Sequence, residues 1–291
     1  MSMELLLQAA VSGFLMGGIY ALIALALALV FGVMGVLNFA HGDLLMVGMY
    51  GVVLICAATN LSPFIAGLLI VPAMVLIGWV VFILLIRPIV GSAPLVQAQL
   101  TIGMSFVIQS AALLWFGADL FNVRSELGSS SIRLGDIVIS APLLIGCLVA
   151  LLASGLLAWF LSATIWGYRI RATAEDPVMA QLCGVPVQRV QRWVFAGATG
   201  SLAIAAGCLM AFYHVTPVVG LQFSVLSLLI VVLGGLGDLR GAMVAALVLG
   251  VAEAMTSAIF NSASAPAALY ILFGAALLLR PHGLLGRGAT V

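Results

Sequence analysis

The chain has 291 residues, of which 65% are hydrophobic and only 7% charged, with a formal net charge of +1. A soluble domain carries about 25% charged residues, so a single soluble core is excluded, and the near-zero charge leaves no basic patch for nucleic acid. Lysine is absent, all ten basic residues being arginine, which excludes a P-loop nucleotide site and a Schiff-base lysine.

In lipid only helices and closed barrels satisfy their backbone. Barrel strands alternate apolar and polar residues, whereas runs such as "YALIALALALVFGVMGVL" are continuously apolar. The expected fold is therefore an all-α polytopic membrane bundle, with about 8–10 transmembrane or re-entrant helices, since each span needs about 20 apolar residues. The whole chain, 1–291, reads as one transmembrane domain. Its predicted spans are 5–32, 43–59, 64–86, 95–117, 142–164, 194–214, 218–236, 241–260 and 266–280. The leading "MSMELLLQ" carries Glu4 and no basic residue, unlike a secretory signal, so 5–32 is read as a retained span.

Between the first two spans lies "GVLNFAHGDL" (35–44), with Asn38, His41 and Asp43 close together. Ionisable groups inside spans are costly and functional by default. The bland reading is a turn, with Asp43 as the N-cap of the second span; the sharper one is the lining of a pathway, and the two are compatible. Glu253, near Thr256 and Ser257, reads equally as interhelical glue or as pathway. His214, beside the break at Pro217, is expected at the outer surface. The five tryptophans read as interfacial anchors. Cys56, Cys147, Cys183 and Cys208 show no metal-ligand spacing, and no metal or catalytic residue is expected.

Two polar segments set the orientation. The 165–193 loop holds Arg169, Arg171, Arg189 and Arg192 against Glu175 and Asp176, whereas 118–141 holds Arg124 and Arg133 against three acidic residues. Positive charge favours the cytoplasm, so 165–193, Arg87, Arg280 and Arg287 are expected inside and 118–141 outside. With nine spans the N-terminus would also lie outside. An apolar run ending in glycines in "LIALALALVFGVMG" is echoed by "VLSLLIVVLGGLGD", a sign of two related halves.

Within the inner loop, "AEDPVMAQLCGVP" spells a short helix over 177–183. Asp176 suits the N-cap and Pro177 the first helical position. Gly184 suits the left-handed position after the helix. Val178 and Leu182, spaced by four, share a face beside Met179. A helix this short does not hold its shape alone in water. It either tucks under its own bundle or docks into another protein, framed by the arginines; the docking reading is preferred.

Four blocks carry a family resemblance: "GVLNFAHGDLLMVGMY", "GYRIRATAEDPVMAQLCGVPVQRV", "VVLGGLGDLRGAMVAALVLGVAEA" and "LLLRPHGLLGR". They resemble, in order along nearly the whole chain, the permease subunits of bacterial branched-chain amino acid ABC importers. The resemblance implies an inner-membrane transport subunit rather than an enzyme. Its expected partners are a second, related permease forming a heterodimer, two cytoplasmic ATPase subunits binding ATP and Mg, and a periplasmic solute-binding protein. Such a chain carries no cofactor of its own. The short helix would be the coupling helix, with Glu175, Asp176, Ala180 and Gly184 at family positions and Arg169, Arg171, Val178, Met179 and Leu182 around the contact. An amino-acid cargo is a zwitterion, for which Asn38, His41, Asp43 and Glu253 are the candidate pathway residues. Urea, short amides or aromatic acids are alternative cargoes, and a stand-alone secondary transporter is the alternative class. An intramembrane enzyme lacks a nucleophile pattern.

Overall fold

The computed structural model describes residues 3–123, 131–134 and 137–260, with isolated positions between 270 and 278. In order the elements are α1 (Met3–Met34), α2 (His41–Thr59), α3 (Pro63–Leu69), α4 (Val71–Val81) and α5 (Pro94–Phe116). Strands β1 (Ser131–Leu134) and β2 (Ile137–Ser140) follow. Then come α6 (Ala141–Ala163), α7 (Ile165–Glu175), α8 (Pro177–Leu182), α9 (Val187–Met210), α10 (Val219–Gly234) and α11 (Leu239–Ile259). Among the described residues seven stretches are long and apolar enough to cross a bilayer.

The helical membrane bundle stands, with four corrections. A two-stranded antiparallel hairpin, Ser131 opposite Ser140, interrupts the all-α reading. The expected span 64–86 is broken at Ile70, where α3 ends. Pro72 suits the first turn of α4, because its missing N–H is no loss there. A π-helical turn (Phe82–Ile86) and a 3-10 turn (Arg87–Ile89) then prolong α4 to spanning length. Third, α10 has only 16 residues, too few to span at 1.5 Å each. Fourth, Arg189 and Arg192 lie on α9 rather than in a loop. Most of the expected 266–280 span, and Arg124, Glu126, Asp136, Arg280 and Arg287, fall outside the described residues.

The two ends of the bundle are recognisable. At one end Arg87 donates to the Gln188 side chain across 3.2 Å, joining the end of α4 to the start of α9. At the other, Phe121 and Val215 pair backbone to backbone, tying the end of α5 to the loop after α9. His214 is exposed in that loop and stacked on Tyr213.

α1 is the central post. Its stretch Ile19–Ala28 is apolar on every side and buried throughout, as expected of a helix without a polar stripe. α11 runs antiparallel to it, since Gly13 faces Gly250, Gly17 faces Leu247 and Gly32 faces Gly237. α9 makes the matching contacts with α3 and α4: Gly207 faces Gly67, and Thr199 faces Gly78. Small residues let these backbones approach closely, which drives helix association in lipid.

Both α1 and α9 are long crossings followed by a non-helical return and a short helix, α2 or α10. α1 relates to α11 as α9 relates to α4. The repeat thus pairs α1 with α9 and α2 with α10. The sequence echo between the ends of α1 and α10 is not this pairing: those two ends are neighbours, with Gly32 against Gly237.

Candidate functional sites: the broken segment and the short helix

After Met34 the chain turns at Gly35, whose φ of +65° suits glycine, and runs back along α1. By His41 it has returned to Ile23, whose carbonyl lies 3.0 Å from His41 Nε2. Ile23 is eleven residues before the end of α1, or about 16 Å at helical rise. α2 therefore starts inside the bundle and runs towards the Phe121 end, where Tyr50 stacks on Phe116.

Asn38, His41 and Asp43 are all buried. Asn38 Oδ1 accepts from the Ala40 amide at 3.1 Å and shapes the turn. Asp43 is not the N-cap. That position is Ala40, without a side-chain cap, and Asp43 lies in the first turn. Its Oδ1 accepts from Gln109 Nε2 at 2.9 Å, and its Oδ2 has no hydrogen-bond partner among the described residues.

α10 begins at the same point. A Cβ on Gly220 would meet Asp43, and a Cβ on Gly42 would meet the Gly220 carbonyl. The Gly42 amide donates to Ser224 Oγ at 2.8 Å. The two short helices thus start side by side and diverge, α2 towards the Phe121 end and α10 towards Gly234. Two glycines make the contact possible because any side chain there would overlap backbone.

The side chains that hold this break come largely from α5 and were missed in the sequence reading. Gln97, Thr101, Ser105 and Gln109 recur every four residues and so share one helix face. Thr101 donates to Gln97 O at 2.9 Å and lies 3.5 Å from Leu37 O. Gln109 donates to Ser105 Oγ at 2.9 Å as well as to Asp43. Gln97 reaches Ser92 O at 3.0 Å. The signal was the spacing in "QAQLTIGMSFVIQ", set in an otherwise apolar helix.

Glu253 does not join this group. It lies near Tyr20 across the α1–α11 contact.

The short helix α8 spans Pro177–Leu182, one residue less than expected. Asp176 Oδ1 accepts from Val178 N at 2.8 Å and Met179 N at 3.0 Å. Gly184, with φ of +82°, ends the helix, and Val185 N donates back to Ala180 O at 3.0 Å. Both caps are as the sequence spelled them. Ala180 is buried, whereas Val178, Met179 and Leu182 are 66%, 60% and 77% exposed.

The arginines do other work. Arg171 donates to the Leu161 carbonyl in the last turn of α6, where a cation complements the helix dipole. Its guanidinium also lies 4.6 Å from the Tyr168 ring centroid, Arg169 lies 5.3 Å from Trp166, and Arg192 lies 5.4 Å from Trp79. The Arg169 and Arg171 ring contacts lie within α7 itself, whereas the Arg171 bond to Leu161 joins α7 to α6 and the Arg192 contact joins α9 to α4. Between α7 and α8 a groove is lined by Tyr168, Arg171, Glu175, Asp176, Met179 and Cys183, among others.

The chain as a whole matches a known family. The permease component of the branched-chain amino acid transport system matches residues 9–280. The chain belongs to that permease family. Over 97% of its length it is 33% identical to the high-affinity branched-chain amino acid permease LivH of Escherichia coli K12, covering 96% of that protein. It is 32% identical to BraD of Pseudomonas aeruginosa over the same shares. A fructose import permease, FrcC of Rhizobium meliloti, is 26% identical over 52% of this chain and 45% of its own length. No solved structure matches. This permease is a multi-pass inner-membrane protein and a component of a transport system rather than an enzyme.

Proposed function

We propose that this permease carries branched-chain or related amino acids inward from a periplasmic binding protein. A second, related permease would complete the route, and two cytoplasmic ATPase subunits would bind ATP and Mg and drive it. The chain's missing lysine supports an energy source in other chains, because a P-loop needs that side chain.

The observation that carries the reading is α8. A six-residue helix capped at both ends, with Val178, Met179 and Leu182 turned out, buries only Ala180 against its own chain. In water such a helix needs a partner to cover its apolar face. We assign that face to a cleft in an ATPase subunit, with Asp176 and Gly184 keeping its shape and Glu175 at its edge. Arg171 acts indirectly, by tying α7 to the end of α6, while Arg169 packs on Trp166 within α7. Closure of the ATPases would push α7 and α8 and so tilt α6 and α9.

Asn38, His41 and Asp43 form the break that borders the route, held by α5, and Glu253 supports α1 against α11. The test is uptake of leucine, isoleucine and valine by vesicles holding this permease, its partner permease and the ATPases, with binding protein outside. ATP-dependent uptake of these solutes is expected. Uptake by the lone chain driven by an ion gradient would overturn the reading.

A further inference from the structure

Two helices start at one buried point. The first turn of α2 (His41, Gly42, Asp43) lies against the first turn of α10 (Val219, Gly220), close enough that neither glycine has room for a side chain. A helix N-terminus carries a partial positive charge of roughly half an electron. Two such ends meeting away from water repel each other, and they form the arrangement that binds a ligand's anionic group when helices are broken inside a membrane.

Here the position is filled from within. Asp43 belongs to the first turn of α2, and its carboxyl group packs onto Gly220 of α10. It is fully buried, Gln109 holds one of its oxygens, and the other has no hydrogen-bond partner among the described residues. Among the described residues no cationic side chain faces it: the polar groups around it are Gln109 and Ser105 of α5 and Ser224 of α10, while the ring of His41 turns away to Ile23.

We infer that the meeting point of α2 and α10 is a carboxylate seat occupied by the chain's own Asp43, whose negative charge holds the two helix starts together. Asp43 is then a positioning residue. The cargo's carboxylate is excluded from the break and must be met elsewhere on the route. Gln109 and Ser105 keep the side chain aimed at Gly220, so the polar face of α5 and the charge act as one unit.

The test uses the full-length permease purified in detergent, and it does not depend on what the protein transports. Asp43→Asn keeps the volume and the contact with Gln109 but removes the charge. A melting temperature lowered by several degrees is expected, and a wild-type melt overturns the inference. Asp43→Gly empties the seat. Millimolar formate or acetate should raise its melting temperature while leaving the wild type unchanged, and formamide or acetamide should not. Equal rescue by the amides, or none by the carboxylates, overturns the inference. Should Asp43→Gly fail to accumulate, the same salts applied to Asp43→Ser give the readout.

Discussion

Gly67 and Gly207 stand backbone to backbone across α3 and α9. A Cβ on Gly67 would lie 2.7 Å from the Gly207 Cα, and one on Gly207 would lie 2.8 Å from the Gly67 Cα. Neither distance is open to a real side chain, so Gly207→Val must push α3 off α9. Overpacking of this kind costs about 1–3 kcal/mol. A lowered melting temperature in detergent is expected, while Gly197→Ala, on the exposed face of α9 with open space around it, should melt like the wild type.

The four cysteines offer a test of orientation without engineering. Cys56, Cys147 and Cys208 are buried and Cys183 is exposed beside α8. A membrane-impermeant maleimide should label Cys183 in inside-out vesicles and spare it in right-side-out ones. Labelling from the periplasmic side would remove α8 from any contact with an ATPase.

The caps of α8 matter if the helix transmits force. Asp176→Ala removes the acceptor of two backbone amides, worth about 1 kcal/mol. Gly184→Val forces a β-branched residue into left-handed backbone, at roughly 1–2 kcal/mol. Both variants should insert normally and lose uptake while ATP hydrolysis by the assembled complex continues. Ala180→Glu, which places a carboxylate at the buried position, should uncouple more completely. Uptake tightly coupled to hydrolysis in all three would refute the lever.

The α5 ladder predicts a graded series. Gln109→Leu leaves the buried Asp43 carboxylate without its hydrogen bond from Gln109, a loss of about 1–3 kcal/mol. Ser110 lies next to it on the exposed side of α5, so Ser110→Ala should leave the melt unchanged. Equal effects of the two would show that α5 does not grip the broken segment.

Membrane class, the helical bundle, most span boundaries and both caps of α8 were legible because each depends on residues close in the chain. Twenty apolar residues in a row, or Asp-Pro before and Gly after a short helix, act locally. What the sequence alone left open depended on contacts far apart in the chain. Whether Asp43 capped its own helix or faced a neighbour was decided by Gly220, 177 positions away by subtraction of the two numbers. Likewise "NFAHGD" read as a turn between crossings until the return to Ile23 placed it inside the bundle. Apolar runs look alike by composition, so the repeat that pairs α1 with α9 was hidden behind a misleading echo. Local chemistry determined where helices start and stop; only backbone approach between distant glycines decided which helices meet, and with them where the buried charge sits.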